Sequence, residues 1–492
     1  MQLSGIESFE HQQVHPRIHE MLKTRRVFLQ YFAGTAAAAA LSKGSMLWGR
    51  PIETLRPVRA WVTAGTQRFA GLEAPRWQRA TASGSLDIRI NPAIRRQTVL
   101  GFGASFTDAA CYLLSQLPAQ GSQELISEFF GPDGLRLSVA RTCMGSSDYS
   151  RSVYSYDDAP EPDPEFKHFN IKHDRAYILP SLRTALELNK ELFLFASPWS
   201  PPGWMKASGT MLGGSMRKAY FAAYAQYFVR FLEAYAAEGV KIDAVTIQNE
   251  TDTDQDGKMP ACLWGQEYET EFIKTFLGPA LESASLDTKI WILDHNYNLW
   301  GRALDELSDP EVNKYVDGVA WHGYVGTPDA MTRVHEAFPA KSAYWTEGGP
   351  DYTSPQYTTD WSAWSQTFTG VLRNWGRCLV GWNLALDEQG KPNIGPFSCG
   401  GVVTIDSRTQ RITRSGQYWA FAHYSKAIRR NARVLASHGQ LAGVEHVALE
   451  NPDGSRVLIV TNRGEARTVD CGLDSSRLQV KMLRDSVVTL VW

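Results

Sequence analysis

Residues 221–250 read FAAYAQYFVRFLEAYAAEGVKIDAVTIQNE, and this stretch decides the fold. Phe221, Tyr224, Phe228, Phe231 and Tyr235 recur at alternating intervals of three and four, the spacing of one buried helix face. Gly239 closes the pattern, because glycine takes the left-handed backbone that ends a helix without steric cost. Ala244–Gln248 follows as a short, mainly apolar run, as expected of a parallel strand covered on both faces. The same alternation extends in both directions along the chain. Strands are expected at Thr98–Gly101, Leu137–Thr142, Leu192–Ser197, Lys289–Leu293, Gly318–Trp321, Ala343–Thr346 and Cys378–Trp382, with helical patterns between them. Eight strand–helix units predict an α/β chain folded as a (β/α)8 TIM barrel. A doubly wound open sheet would need a nucleotide-type turn. Gly101–Phe106 lacks the third glycine of that fingerprint, and Asp108 stands where a pyrophosphate needs neutral donors.

The tail has another period. Val444–Leu449 and Arg456–Thr461 alternate around the turn Asn451-Pro452-Asp453-Gly454, and Leu478–Leu483 and Val487–Trp492 read as further strands. Ala80–Ile90, ahead of the barrel, also reads as strand. The expected organisation is a linker at 46–75, N-terminal sandwich strands at 76–97, the catalytic barrel at 98–425, and the rest of an accessory β-sandwich at 426–492. Residues 1–45 read as a twin-arginine export signal: Arg25-Arg26, then an apolar run over 27–41. That run is too short for a spanning helix of about 20 residues. No stable membrane anchor is expected, and a periplasmic or extracellular destination is.

The 50 Lys+Arg nearly balance 52 Asp+Glu, so no electrostatic argument favours nucleic acid or an anionic membrane surface. The six cysteines are widely spaced, without a CxxC pair, and read as structural. The 16 Trp, 19 Tyr and 21 Phe fill a core, and their flat apolar faces also suit a sugar. No Walker loop, GxSxG elbow or HExxH motif occurs. Asp252, Asp254 and Asp256 lack the closing glutamate of a calcium loop and read as a solvated rim. No metal or cofactor is expected.

Chemistry in this fold projects from the C-terminal ends of the strands. Strand four ends in Gln248-Asn249-Glu250 and strand seven in Trp345-Thr346-Glu347. A glutamate closing a buried strand has no packing reason to be acidic. Two of them form the pair that glycoside cleavage needs: about 5–5.5 Å apart, one attacks the anomeric carbon while the other protonates the leaving oxygen.

At these residues the chain resembles glycoside hydrolase family 30, the group of glucosylceramidases and β-1,6-glucanases. The matching segments are Gly101–Asp108, Ser197–Ser200, Trp204–Lys206, Gln248–Glu250, Trp345–Glu347 and Gly381–Leu386, in family order. The resemblance implies a retaining β-glycosidase acting on a β-glucoside or β-glucan, with a barrel and a side β-sandwich. It implies Glu250 as acid/base and Glu347 as nucleophile, and Asn249 on the sugar 2-hydroxyl. It places Asp108, Trp199 and Trp382 around the glucose, with His322 and Tyr324 near the nucleophile. Trp199 and Trp382 would serve as apolar walls, and Tyr324 would donate to Glu347. Gly323, Gly348-Gly349 and Thr251 depart from the glucosylceramidase pattern, and Trp382–Ile405 is closer to the β-1,6-glucanase branch. A non-catalytic sugar-binding barrel is the alternative of another class, although a binder has no use for two opposed carboxylates.

Overall fold

The computed structural model describes residues 56–79 and 86–492; the export signal expected over 1–45 lies outside them. Eight parallel strands close a barrel in chain order. They are β1 (Gly101–Phe106), β2 (Val139–Met144), β3 (Phe193–Pro198), β4 (Ala244–Thr246), β5 (Lys289–Asn296), β6 (Val316–His322), β7 (Ser342–Glu347) and β8 (Gly376–Asn383). The helix Phe221–Ala237 buries Phe221, Tyr224, Phe228, Phe231 and Tyr235, as its spacing requires, and Gly239 follows with φ +77°.

One expected strand moves. Thr98 ends a long strand of the accessory sheet, Ile88–Thr98, and the first barrel strand is Gly101–Phe106 itself, buried at all six positions. Its glycines allow close approach to the next strand rather than a turn. A Cβ on Gly103 would fall 1.8 Å from the Val139 carbonyl oxygen.

The interior of the barrel is layered by the period of two along each strand. Val139, Phe195, Ala244, Ala320 and Tyr344 belong to one small apolar cluster with Trp291, Cys378 and Val380. Two residues further along the same strands stand Arg141, Ser197, Thr246, His322 and Thr346, all buried and polar. An apolar plug thus supports a polar layer directly above it.

On β5 the period is broken. The ladder pairs Ala320 with Leu293 and Trp321 with His295, so Asp294 is an extra residue, and Leu293 and Asp294 have φ +73° and +43°. This bulge packs Leu293 in the main hydrophobic core and brings Asp294 into the polar layer.

The accessory unit is a ten-stranded sheet. It includes Arg59–Ala64 and Gln67–Leu72, so the described part, 56–75, of the segment expected as a linker at 46–75 holds two strands of this sheet. Arg59–Ala64 lies beside the C-terminal strand Ser486–Val491, a pairing that neither segment reveals locally. The sheet has its own core, including Val62, Ile90, Leu458, Val480 and Leu490. Fully buried His423, on helix Gly416–Ser425, joins it to the barrel side through Thr63 and Thr489, each at 2.8 Å. Burial pushes this imidazole down to about 3, so it is neutral at ordinary pH. All six cysteines are free. No helix among the described residues is long and apolar enough to cross a membrane.

Candidate active site

The polar layer opens at the C-terminal end of the strands into a cavity of about 580 Å³, lined by Asn249, Glu250, Tyr324, Glu347, Trp199 and Trp382 among others. Its base is organised by Arg141, whose side chain is completely buried. Its guanidinium donates to Glu347 Oε2 at 2.5 Å, to Asn249 Oδ1 and Asp294 Oδ2 at 2.7 Å each, and to Ser197 Oγ at 3.2 Å. A planar fork with five N–H groups can hold these partners at once; an ammonium presents no such fork. Asp294 also accepts from Ser197, Thr246, Thr346 and His322. Burial opposes its charge, but Arg141 and these donors hold its carboxyl well below the usual range.

Glu347 closes β7 with both oxygens held by donors, Arg141 on one and the Tyr324 hydroxyl, at 3.0 Å, on the other. Burial, with the charges of Glu250 and Asp294, pushes its carboxyl up on balance, against the pull of His322 and Arg141. Two donors and no acceptor are the surroundings of a carboxylate, not of an acid.

Glu250 stands just past β4 in a left-handed backbone conformation, φ +56°, and its N–H is accepted by the Asp294 carbonyl at 3.0 Å. Gln255 donates to its Oε2 at 2.8 Å, and His322 Nδ1 faces its Oε1 at 3.4 Å. The other nitrogen of His322 lies 3.1 Å from Asp294 and 3.8 Å from Glu347. One imidazole therefore spans both glutamates. Burial works against its charge, but Glu347 and the bonds to Asp294 and Glu250 push it up to about 9. Burial raises the Glu250 carboxyl, and the His322 hydrogen bond and charge, with His295 and Gln255, more than offset it. Below about pH 9 His322 is protonated, with Nδ1 facing Glu250 Oε1.

The family model for the Glycosyl hydrolase family 30 TIM-barrel domain matches residues 99–428, and that for the family 30 beta sandwich domain matches 431–490. The chain belongs to glycoside hydrolase family 30. It is 34% identical over 433 residues to an endo-1,6-beta-D-glucanase of Neurospora crassa, covering 84% of this chain and 89% of that protein. It is 32% identical over 406 residues to the lysosomal acid glucosylceramidase of Mus musculus, covering 78% of each. A solved endo-beta1,6-glucanase superposes with a TM-score of 0.81 at 28% identity, covering 89% of this chain and 100% of the other.

The structure brings most of the expected family 30 site residues together, but not all of them. Asp108 is elsewhere. Its carboxylate accepts from Arg151 N–H at 2.7 Å and from His173 and the Tyr177 hydroxyl at 2.6 Å each, and it does not line the cavity. It ties down the loop after β2. Asp148, on that loop, lines the cavity instead, 3% exposed and with Oδ1 lacking any donor. Burial, with the charges of Glu347 and Glu250, pushes its carboxyl well up.

Trp199 and Trp382 both line the cavity. They stack on one another, centroids 4.9 Å apart and 16° from parallel, with the Arg141 guanidinium 4.8 Å from the first ring. Gln255, from the aspartate-rich segment read as a solvated rim, reaches into the site.

Sequence reasoning did not single out Arg141, Asp294, Asp148, His295 or Gln255. For Arg141 a signal was present: it is the one charged residue in a strand of six, VARTCM.

Among the described residues, two clusters bring three ligand-type atoms within 4.8 Å of one another, Glu250–His295–His322 and Asp157–Asp163–His168. In the first, both ring nitrogens of His322 already face carboxylates.

Proposed function

We propose that this family 30 enzyme is a retaining β-glucosidase that works through a covalent glucosyl ester on Glu347. The observation that carries the reading is the asymmetry of the two glutamates. Glu347 has a donor on each oxygen, Arg141 and Tyr324, whereas Glu250 accepts from Gln255 and faces the His322 imidazole, a group that can carry its proton. Glu347 attacks the anomeric carbon as the glycosidic C–O bond breaks, and Glu250 delivers that proton to the leaving oxygen. That proton passes from His322 Nδ1 to Glu250 without changing the net charge of the site. Water then enters, Glu250 takes its proton, and the hydroxide oxygen displaces the sugar from Glu347.

Asn249 supports the same reading. Because Arg141 occupies its Oδ1, its amide N–H groups are left for the sugar 2-hydroxyl. That contact leaves the 2-O–H free to donate, and it is this donation that strengthens as positive charge develops at the anomeric centre.

The test is leaving-group dependence. In Glu250→Gln, glycosylation by a dinitrophenyl β-glucoside should stay within about tenfold of wild type, while phenyl β-glucoside should slow by roughly 10²–10⁴, the range of general acid catalysis. An equal loss on both substrates would remove Glu250 from the acid role.

A second reading, cleavage within β-1,6-glucan, is favoured by the likeness to the Neurospora crassa endo-1,6-beta-D-glucanase and to the solved endo-beta1,6-glucanase. Product analysis on glucosylceramide, β-1,6-glucan, gentiobiose and an aryl β-glucoside separates the leaving groups, with an aryl β-xyloside as control.

Asp148 takes the sugar-holding role expected of Asp108. A sugar hydroxyl supplies the partner that its Oδ1 lacks, and an unmade hydrogen bond at a buried group costs roughly 1–3 kcal/mol. Asp148→Ala is expected to lower kcat/KM by about 10–100-fold on an aryl β-glucoside, and Asp108→Asn to act chiefly on thermal stability. The reverse ranking would return the sugar contact to Asp108. Arg25-Arg26 ahead of the apolar run at 27–41 supports export by the twin-arginine route.

A further inference from the structure

Behind β5, outside the barrel, lies a buried charge cluster that the reaction does not touch. Glu269, on helix Gln266–Glu271, and Glu306, on helix Trp300–Ser308, are completely buried and share one guanidinium. Arg302 donates to Glu269 Oε2 at 2.6 Å, to Glu306 Oε1 at 2.9 Å and to the Trp264 carbonyl at 2.9 Å. Two carboxylates against one cation is an expensive arrangement in a core. Burial and the Glu269 charge push the Glu306 carboxyl well up.

The remaining oxygen of Glu269 has a particular task. It accepts the backbone N–H of Leu293, at 3.3 Å, the first residue of the β5 bulge. Leu293 and Asp294 both hold left-handed conformations, which cost L-residues free energy and persist only where the surroundings over-determine them. On the cavity side the bulge is held by the five donors of Asp294, namely Arg141, Ser197, Thr246, His322 and Thr346. On the outer side it is held by Glu269. The bulge in turn accepts the Glu250 N–H through the Asp294 carbonyl and faces the Thr251 hydroxyl through that of Leu293.

We propose that Glu269, clamped by Arg302, is a positioning residue for the acid/base glutamate, acting through the Leu293–Asp294 bulge on the backbone of Glu250. This rests on the reading of Glu250 as acid/base. Without the acceptor, β5 can relax towards a regular strand. A regular period of two from Trp291 would bring Leu293, not Asp294, into the polar layer and withdraw the carbonyl that seats Glu250. Proton delivery then suffers more than sugar binding, because it depends on the placement of one carboxyl to a fraction of an ångström.

The experiment compares phenyl and dinitrophenyl β-glucosides in wild type, Glu250→Gln, Glu269→Leu and Glu269→Gln. The readout is the ratio of the two rates, which does not depend on how much of a sample is folded. Glu269→Leu is expected to slow phenyl β-glucoside by about tenfold or more, with KM and the dinitrophenyl rate within about twofold. Glu269→Gln keeps an oxygen for the Leu293 N–H and should restore most of the phenyl rate. Should Glu269→Leu not fold, Arg302→Met, which leaves the acceptor but unclamps it, is expected to show the same selective loss. A wild-type ratio in the folded variant would overturn the inference, provided Glu250→Gln shows its own split. If Glu250→Gln shows none, the acid/base reading has failed instead.

Discussion

Glu347→Gln should abolish turnover, by at least about 10⁴-fold, even on substrates with the best leaving groups, since an amide cannot serve as the nucleophile. The substitution is nearly isosteric. Its amide oxygen can still accept from Arg141, and its nitrogen can donate to the Tyr324 oxygen, so the fold should be kept. Thermal unfolding checks that point. A slow-turnover 2-fluoro glucoside should label wild type on the peptide carrying Glu347 and leave the variant unlabelled. Residual turnover above about 1% of wild type, well beyond what loss of a nucleophile allows, would move the nucleophile to another residue, as would a label on another peptide.

Arg141→Met should produce the second-largest effect, and it acts through charge rather than chemistry. Arg141 never touches the scissile bond in the proposed mechanism. It neutralises a layer in which Asp294 is completely buried and Glu347 nearly so, and each lies within 2.7 Å of its nitrogens. Removing one member of such a buried network leaves uncompensated charge and costs about 3–5 kcal/mol. Denaturant unfolding measures that cost. The pH profile provides an independent reading. Glu347 must be ionised to attack, and Arg141 is one of two groups that pull its pKa down. Without it the carboxyl titrates higher, so the acid limb of kcat/KM should move to higher pH, and kcat at neutral pH should fall by roughly 100-fold or more. Arg141→Lys retains the charge but cannot present four donors in one plane, and should fall between the two. An unchanged acid limb in Arg141→Met would separate this guanidinium from the ionisation of Glu347.

Much of the fold was legible because burial on both faces writes parallel strands as apolar runs, and the helix around Phe228 writes its period openly. Two elements were misread for a common reason. Gly101–Phe106 was expected to lead out of a strand, and 46–75 to be a linker. In each the decisive partner is remote: Val139 crowding Gly103, and Ser486–Val491 flanking Arg59–Ala64. Local composition cannot report a neighbour that arrives from 36 or more than 420 residues away.

Glu250 and Glu347 were visible because acid at the end of a buried strand is anomalous in one dimension. Asp108 and Asp148 were not separable in that way. Both follow barrel strands closely and both are buried; they differ only in whether protein donors already satisfy the carboxylate.

The sequence by itself determined the number and order of strand–helix units, the two acidic strand ends and the family. These follow from side-chain period and residue identity, which are properties of short segments. Tertiary structure alone decided which charges neutralise one another. Arg141, Asn249, Asp294, His322 and Glu347 come from five strand ends and meet only when the barrel closes. The extra residue on β5 decided that Asp294, rather than Leu293, joins them. Electrostatic energy depends on distance and on exclusion of water, and neither exists until those strands are side by side.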